Sequence, residues 1–317
     1  MSLSSFLKLV EIQTKVASII PFSLGTLYAL YHFHRFNFKN FIFMLISLLA
    51  FDMATTAINN FMDYKKANKT EGYGYEKHNA IVRDNLKESA VLCTIFMLLI
   101  IATIFGFMLF LNTNIVILII GALAFLVGIL YSFGPLPISR MPLGEIFSGL
   151  CMGFVIVFIS TYIHVDDENI VSFMYEEGIL SMKINVLQLL YIFLISLPAV
   201  SGISNIMLAN NTCDIEEDIE NKRYTLPVYI GKKNALKLFK ALYYISYVDI
   251  IILLILKIEP ILGFITILTI IPVRKNIMLF YKNQTKKDTF VLAVKNFVLI
   301  NVTQIIAIAV GSLIEYI

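Results

Sequence analysis

The sequence predicts an all-α membrane protein, a polytopic transmembrane bundle of about nine helices with two polar loops capping its cytoplasmic end. Three observations predict it. Of 317 residues, 58% are hydrophobic and only 15% charged, with a mean hydropathy of +0.81. A soluble domain averages ~25% charged residues. Apolar runs close to the ~20 residues that a ~30 Å hydrocarbon core demands recur along the whole chain. Lys and Arg gather on one side of those runs, as the positive-inside rule expects.

The runs, in order, cover 16–34, 41–62, 89–111, 114–131, 143–163, 187–209, 236–256, 258–273 and 290–314. The first is expected to stay as an anchor, because residues 1–15 lack the apolar core and cleavage site of a signal peptide. Residues 241–273 are almost continuously apolar, and Lys257, Glu259 and Pro260 supply the break between the seventh and eighth runs. With the N-terminus cytoplasmic and the C-terminus outside, 20 of the 25 Lys and Arg residues lie on the cytoplasmic side. The connection 164–186 then becomes an outside loop made acidic by Asp166, Asp167, Glu168, Glu176 and Glu177. Nothing divides the chain, so residues 1–317 form one transmembrane domain in the cell membrane, with lipid as its surroundings.

Composition also excludes some functions. A net charge of +3 with no basic domain gives no support to nucleic-acid binding. Cys93, Cys151 and Cys213 are far apart and show neither disulfide nor zinc spacing. There is no Trp, so any interfacial aromatic belt must come from the 16 Tyr residues. A transporter would place charges or broken helices at mid-membrane; here the spans are nearly free of charge and the acids collect at one face.

The two cytoplasmic loops, 63–88 and 210–235, are long and polar in a chain that is otherwise sparing with connections. Each opens on a similar pattern. The first is Asn59-Asn60-Phe61-Met62-Asp63, and the second is Asn210-Asn211-Thr212-Cys213-Asp214 with Asp218 four residues on. Residues four apart share a helix face. Asn59 and Asp63 therefore share one, which Asp52 and Thr56 extend, and Asn210, Asp214 and Asp218 share another if the segment is helical. Alone, either motif would read as a helix cap or a solvated end. Two of one pattern, at corresponding places on one membrane face, argue for a site. Glu216 and Glu217 turn off the second face and read as solvated.

Carboxylates so arranged suit Mg²⁺, a hard ion that takes one or two carboxylates together with substrate phosphate and water. Nearby Lys and Arg would take remaining phosphate oxygens, Arg as a bidentate donor. Such a site would grip a diphosphate and stabilise it as a leaving group.

These residues resemble the UbiA superfamily of intramembrane prenyltransferases, over nearly the whole chain. The run from Asp214 through Asp218, Asn221, Lys222, Arg223 and Thr225 to Leu226 is similar to the family's menaquinone-forming branch. So is Tyr131 followed by Gly134, Pro135, Pro137, Gly144 and Glu145, which looks like a stretch of 1,4-dihydroxy-2-naphthoate prenyltransferases. The first motif departs from the family's fuller form: Asn60 and Ala67 stand where carboxylates are expected, leaving Asp63.

The resemblance implies an Mg²⁺-dependent enzyme that joins a polyprenyl diphosphate to an aromatic acceptor, 1,4-dihydroxy-2-naphthoate. 4-Hydroxybenzoate and haem are the acceptors of sister enzymes. It implies Asp63, Asp214 and Asp218 as catalytic metal ligands, assisted by Asn59 and Asn210. Asn60, Lys77, Arg83, Lys222, Arg223, Tyr131 and Glu145 would bind substrate, with His78 close by. The segment 72–84 would be a lid over the diphosphate. Glu145 also has a plainer reading, as a charge complementing a helix N-terminus.

Overall fold

A computed structural model describes residues 1–66, 79–134, 137–165 and 170–315. The chain begins with α1 (Leu3–Leu9), capped by the Ser2 side chain, which accepts from the Ser5 N–H. A 3₁₀ turn at Ile12–Lys15 leads into α2 (Val16–Phe33). Then follow α3 (Phe38–Lys66), α4 (Ala80–Arg83), α5 (Glu88–Leu111) and α6 (Ile115–Ser132). The next span, α7 (Gly144–Tyr162), contains a π-helical stretch at Gly149–Val155. Strands β1 (Val171–Glu176) and β2 (Ile179–Ile184) precede α8 (Val186–Cys213). Two short helices, α9 (Ile215–Glu220) and α10 (Leu226–Ile230), lead to α11 (Lys232–Ile255). Last come α12 (Ile261–Lys282) and α13 (Val291–Glu315).

Among the described residues, eight helices are long and apolar enough to cross a bilayer, and Ile115–Tyr131 is a shorter apolar one. These nine correspond to the nine apolar runs. Their outer faces show why so much of the chain is apolar. On α5, Phe96, Ile100, Ile104, Phe107 and Leu111 are exposed at helical spacing, as a lipid-facing stripe must be.

Helix α8 lies at the centre, packed against α2, α7, α11 and α13. Its approach to α7 depends on missing side chains. A Cβ at Gly149 would collide with the Ser204 hydroxyl, and one at Gly153 with the backbone of Val200. Small residues allow such close backbone contact where no hydrophobic driving force holds helices together. Helices α3, α5 and α6 pack together on the other side.

Several boundaries differ from the hydropathy reading. The eighth span runs to Lys282 rather than ending at 273. Arg274 and Lys275 do not stop it, because both are exposed while Val273, Ile277 and Phe280 keep a buried stripe. The polar loop 210–235 is mostly helical. Pro227 opens α10, and Gly231, at φ +77°, turns the chain into α11. The acidic connection 164–186 contains a β-hairpin, the one departure from an all-helical architecture among the described residues. Its strands alternate with period two, and Glu177 and Gly178 both have positive φ (50° and 83°), as a type I′ turn requires.

Candidate active site

Helix α3 lines a cavity of about 720 Å³ with the face that carries Met44, Ser47, Leu48, Phe51, Asp52, Thr55, Thr56 and Asn59. The fifteen steps from Met44 to Asn59, at 1.5 Å rise each, extend this wall over about 22 Å. The opposite wall comes from α6 and α7, with Tyr131, Ser148 and Cys151 at one end and Ile117 and Ile159 at the other. One end is therefore polar (Asn59, Asp52, Thr56, Tyr131, Ser148). The other is apolar (Met44, Leu109, Ile117, Ile159). The volume lies in the range of a small-molecule site.

The first motif divides its labour. Asn59 is exposed at the cavity's polar end, and Asp63, also exposed, is next on the same face. Asn60 is buried and faces elsewhere. Its Nδ2 donates to the Leu9 carbonyl (2.9 Å) and to Glu11 Oε1 (3.2 Å), and its own carbonyl accepts from Asn79 Nδ2 (2.9 Å). Asn60 thus fastens the N-terminal segment and the chain entering α4. Deeper along α3, the buried Lys15 ammonium donates to Asp52 Oδ1 (2.6 Å) and Thr56 Oγ1 (2.8 Å), while the Ser18 hydroxyl donates to Asp52 Oδ2. An ion pair and two hydroxyls so placed give the cavity a fixed polar wall.

The second motif is not one helix face. The helix breaks at Asp214 (φ −107°, ψ 12°), and α9 restarts beyond it. The break lets Asp214 and Asp218 meet different partners. Lys286, before α13, reaches Asp214 Oδ2 at 2.5 Å. Asp218, 1% exposed, accepts from Thr225 Oγ1 (2.8 Å) and lies 3.4 Å from Arg223 Nε. Burial pushes the Asp218 carboxyl above its ordinary range, against the pull of Arg223 and the Thr225 hydroxyl. Arg223 Nη2 also approaches the Ser139 carbonyl, and the Tyr224 N–H donates to the Arg140 carbonyl (3.0 Å), which joins this corner to the turn before α7.

Glu145 is 3% exposed and accepts from Asn211 Nδ2 (2.8 Å), while its Oε2 has no hydrogen-bond partner. It stands in the first turn of α7, as the helix-dipole reading requires, but buried and bonded to Asn211. It interacts electrostatically with Asp218, and Tyr131 does so with both Glu145 and Arg223. The Ser148 hydroxyl donates to Tyr131 Oη (3.0 Å). Tyr131 and Ser148 also line the cavity, so they connect it to the second motif.

The other expected residues are dispersed. Asn210 is half-buried, and Lys222 is exposed beyond α9. Arg83 lies beside α1 and pairs with Asp84 (3.1 Å), away from the main cavity. Lys77 and His78 lie outside the described residues. Sequence reasoning missed Lys286 and Lys15, which it counted only as cytoplasmic charges, and Asn211, which stands beside a more conspicuous Asn.

The donors fit a hard divalent ion. They are carboxylate and amide oxygens, and the Lys286 ammonium sits on Asp214 as a cation would. Among the described residues, no three Asp, Glu, His or Cys side chains form a ready-made metal cage.

A family model described as the UbiA prenyltransferase family matches residues 18–300. The chain is 30% identical over 304 residues to a protein of Bacillus subtilis (strain 168) named 1,4-dihydroxy-2-naphthoate octaprenyltransferase, covering 96% of this chain and 90% of that one. Its fold is similar to that of a UbiA homologue from Aeropyrum pernix (TM-score 0.67, 18% identity, 96% and 99% coverage). It is also similar to a UbiA homologue from Archaeoglobus fulgidus bound to GPP and Mg²⁺ (TM-score 0.65, 14% identity, 97% and 99% coverage).

Proposed function

Because this chain belongs to the UbiA prenyltransferase family, we propose that it transfers a polyprenyl group from polyprenyl diphosphate to 1,4-dihydroxy-2-naphthoate, a step of menaquinone biosynthesis. The observation that carries this reading is the cavity. It runs from a polar end at Asn59, Tyr131 and Ser148 to an apolar end within the bundle. A lipid diphosphate needs both environments at once, and the relative from Bacillus subtilis supports the naphthoate acceptor. The N-terminus and the acidic motifs face the cytoplasm, and the C-terminus lies outside.

Asp63, Asp214 and Asp218 would hold Mg²⁺, with Asn59 and Asn210 as weaker oxygen ligands. When bound, Mg²⁺ neutralises the diphosphate and stabilises it as a leaving group. Lys286 and Arg223, displaced from the carboxylates, would then donate to phosphate oxygens. The diphosphate keeps the electron pair of the C1–O bond, leaving an allylic cation. Phe51 and Tyr131 line the cavity, and aromatic rings favour a nearby cation. The apolar walls exclude the water that would quench it. The acceptor ring attacks C1 and loses its carboxyl group as CO₂, giving a demethylmenaquinol.

The test is to incubate the purified protein with Mg²⁺, a labelled polyprenyl diphosphate and a panel of aromatic acids that includes 4-hydroxybenzoate. Prenylated naphthoquinol with release of pyrophosphate is expected. Undiminished transfer with all divalent metal chelated would end the metal assignment, and transfer to another acid alone would end the naphthoate assignment.

A further inference from the structure

The β-hairpin takes no part in the chemistry above, yet one of its two faces is wholly apolar. The register pairs Val171 with Ile184, Phe173 with Met182, and Tyr175 with Leu180. Directly paired residues share a face, so six apolar side chains form one side. The other side is mixed, with Ser172, Ser181, Lys183 and Glu176 polar and Met174 and Ile179 apolar.

The apolar face is turned toward the helices. At its root, Val171 and Phe173 pack against the main core. The Tyr162 hydroxyl donates to the Val171 carbonyl (2.7 Å), and the Asn185 N–H donates to the Ile170 carbonyl (2.8 Å), fixing that root to α7 and α8. Exposure then climbs along the same face: Ile184 42%, Met182 55%, Leu180 67%, Tyr175 74%. The hairpin therefore leaves the bundle toward its turn, with the outer part of its apolar side uncovered by protein. Helix α8 follows the hairpin directly and its first turns expose Val186, Leu187 and Leu190, while α6, which packs on β1, exposes Ile115 in its first turn. These residues belong to the lipid-facing belt of two spans.

We propose that the hairpin is an interfacial paddle, its apolar face lying on the lipid bilayer at the headgroup boundary, at the end of the bundle opposite the acidic motifs. α8 separates the two, since it runs from Val186 beside the hairpin to Asn210 at the second motif. Continuity with the lipid-facing belt picks lipid as the occupant. Tyr175 has the amphipathic ring favoured at that depth, and Lys183, on the polar side, stays in water.

The chain contains no Trp, so a single introduced Trp reports its own surroundings. Leu180→Trp and Tyr175→Trp should give blue-shifted emission in phosphatidylcholine vesicles. Lipids brominated near the headgroup end of the acyl chain should quench both, and aqueous iodide should not. Ser181→Trp, on the opposite face, should show the reverse. Retained turnover by each variant reports an intact fold, and Tyr175→Trp is the conservative substitution of the set. Water-like, iodide-accessible emission from Tyr175→Trp and Leu180→Trp would overturn the proposal. So would shielding that bromolipid does not touch and that disappears on dilution into excess lipid, since a second copy of the chain would then cover the face.

Discussion

At one end of the bundle, Asp214 and Asp218 each sit against a cation, Lys286 and Arg223. Toward the other, Asp249 and Glu259 are buried as deeply, both 2% exposed, and no hydrogen bond from a cation reaches them among the described residues. Neither Asp249 oxygen has a hydrogen-bond partner, and Glu259 accepts only from Gln304 Nε2 (3.2 Å). Glu259, outside the spans, is buried without a countercharge and is driven to keep its proton. The difference teaches that burial alone does not mark a functional acid. What distinguishes the Asp214 and Asp218 corner is that positive charge already stands where a metal would.

The largest expected effect breaks this comparison if it fails. Asp214→Asn, Asp218→Asn and Asp63→Asn should each lower turnover by at least ~10²–10³-fold, the scale on which a preorganised electrostatic contact acts, with the helical circular dichroism unchanged. Glu259→Gln should leave turnover as it is. Equal losses at both ends, measured as pyrophosphate release, would erase the distinction.

How much of this the sequence disclosed depends on the range of the interaction. The spans were legible because lipid exposure leaves a composition signature over ~20 residues. The candidate motifs around Asp63, Asp214 and Asp218 stand out in the sequence because residues four apart are local. The break at Asp214 was not, since a helical spacing reads the same whether or not the helix continues. Lys286 meets Asp214 from 72 positions away, and Lys15 meets Asp52 across a helix hairpin. Both look like ordinary cytoplasmic charges until the chain folds. The hairpin at 171–184 was hidden by the acids around it, although its alternation was present in the sequence.

The second effect in size sharpens the contrast through pH. Burial lifts Glu259 to about 7, with the Gln304 bond pulling the other way. Its folded-state value thus exceeds its unfolded value of ~4.3. The folded state holds the proton more tightly, so this contribution is complete below about pH 4 and is lost as pH rises through 7. The amount is on the order of 4 kcal/mol at 1.36 kcal/mol per unit. Thermal denaturation should therefore show lower stability at pH 8 than at pH 6, and Glu259→Gln should flatten that slope. A slope of opposite sign, or one unchanged in Glu259→Gln, would mean that Glu259 is not the neutral acid described here.

The smallest effect concerns the paired asparagines. In both Asn59-Asn60 and Asn210-Asn211, the second residue is buried and bonded inward, Asn60 to the N-terminal segment and Asn211 to Glu145. The end that carries the chemistry therefore contains polar groups serving structure as well. Asn60→Ala leaves the Leu9 carbonyl without its donor, at a cost of about 1–3 kcal/mol for a buried group. It should lower the melting temperature and loosen residues 1–11, detected as faster proteolysis near the N-terminus, while KM for the diphosphate stays constant. Asn59→Ala, at the cavity's polar end, should raise KM without changing stability. If Asn60→Ala instead raised KM and left stability untouched, Asn60 would be a ligand after all, and the division within the first motif would have to be redrawn.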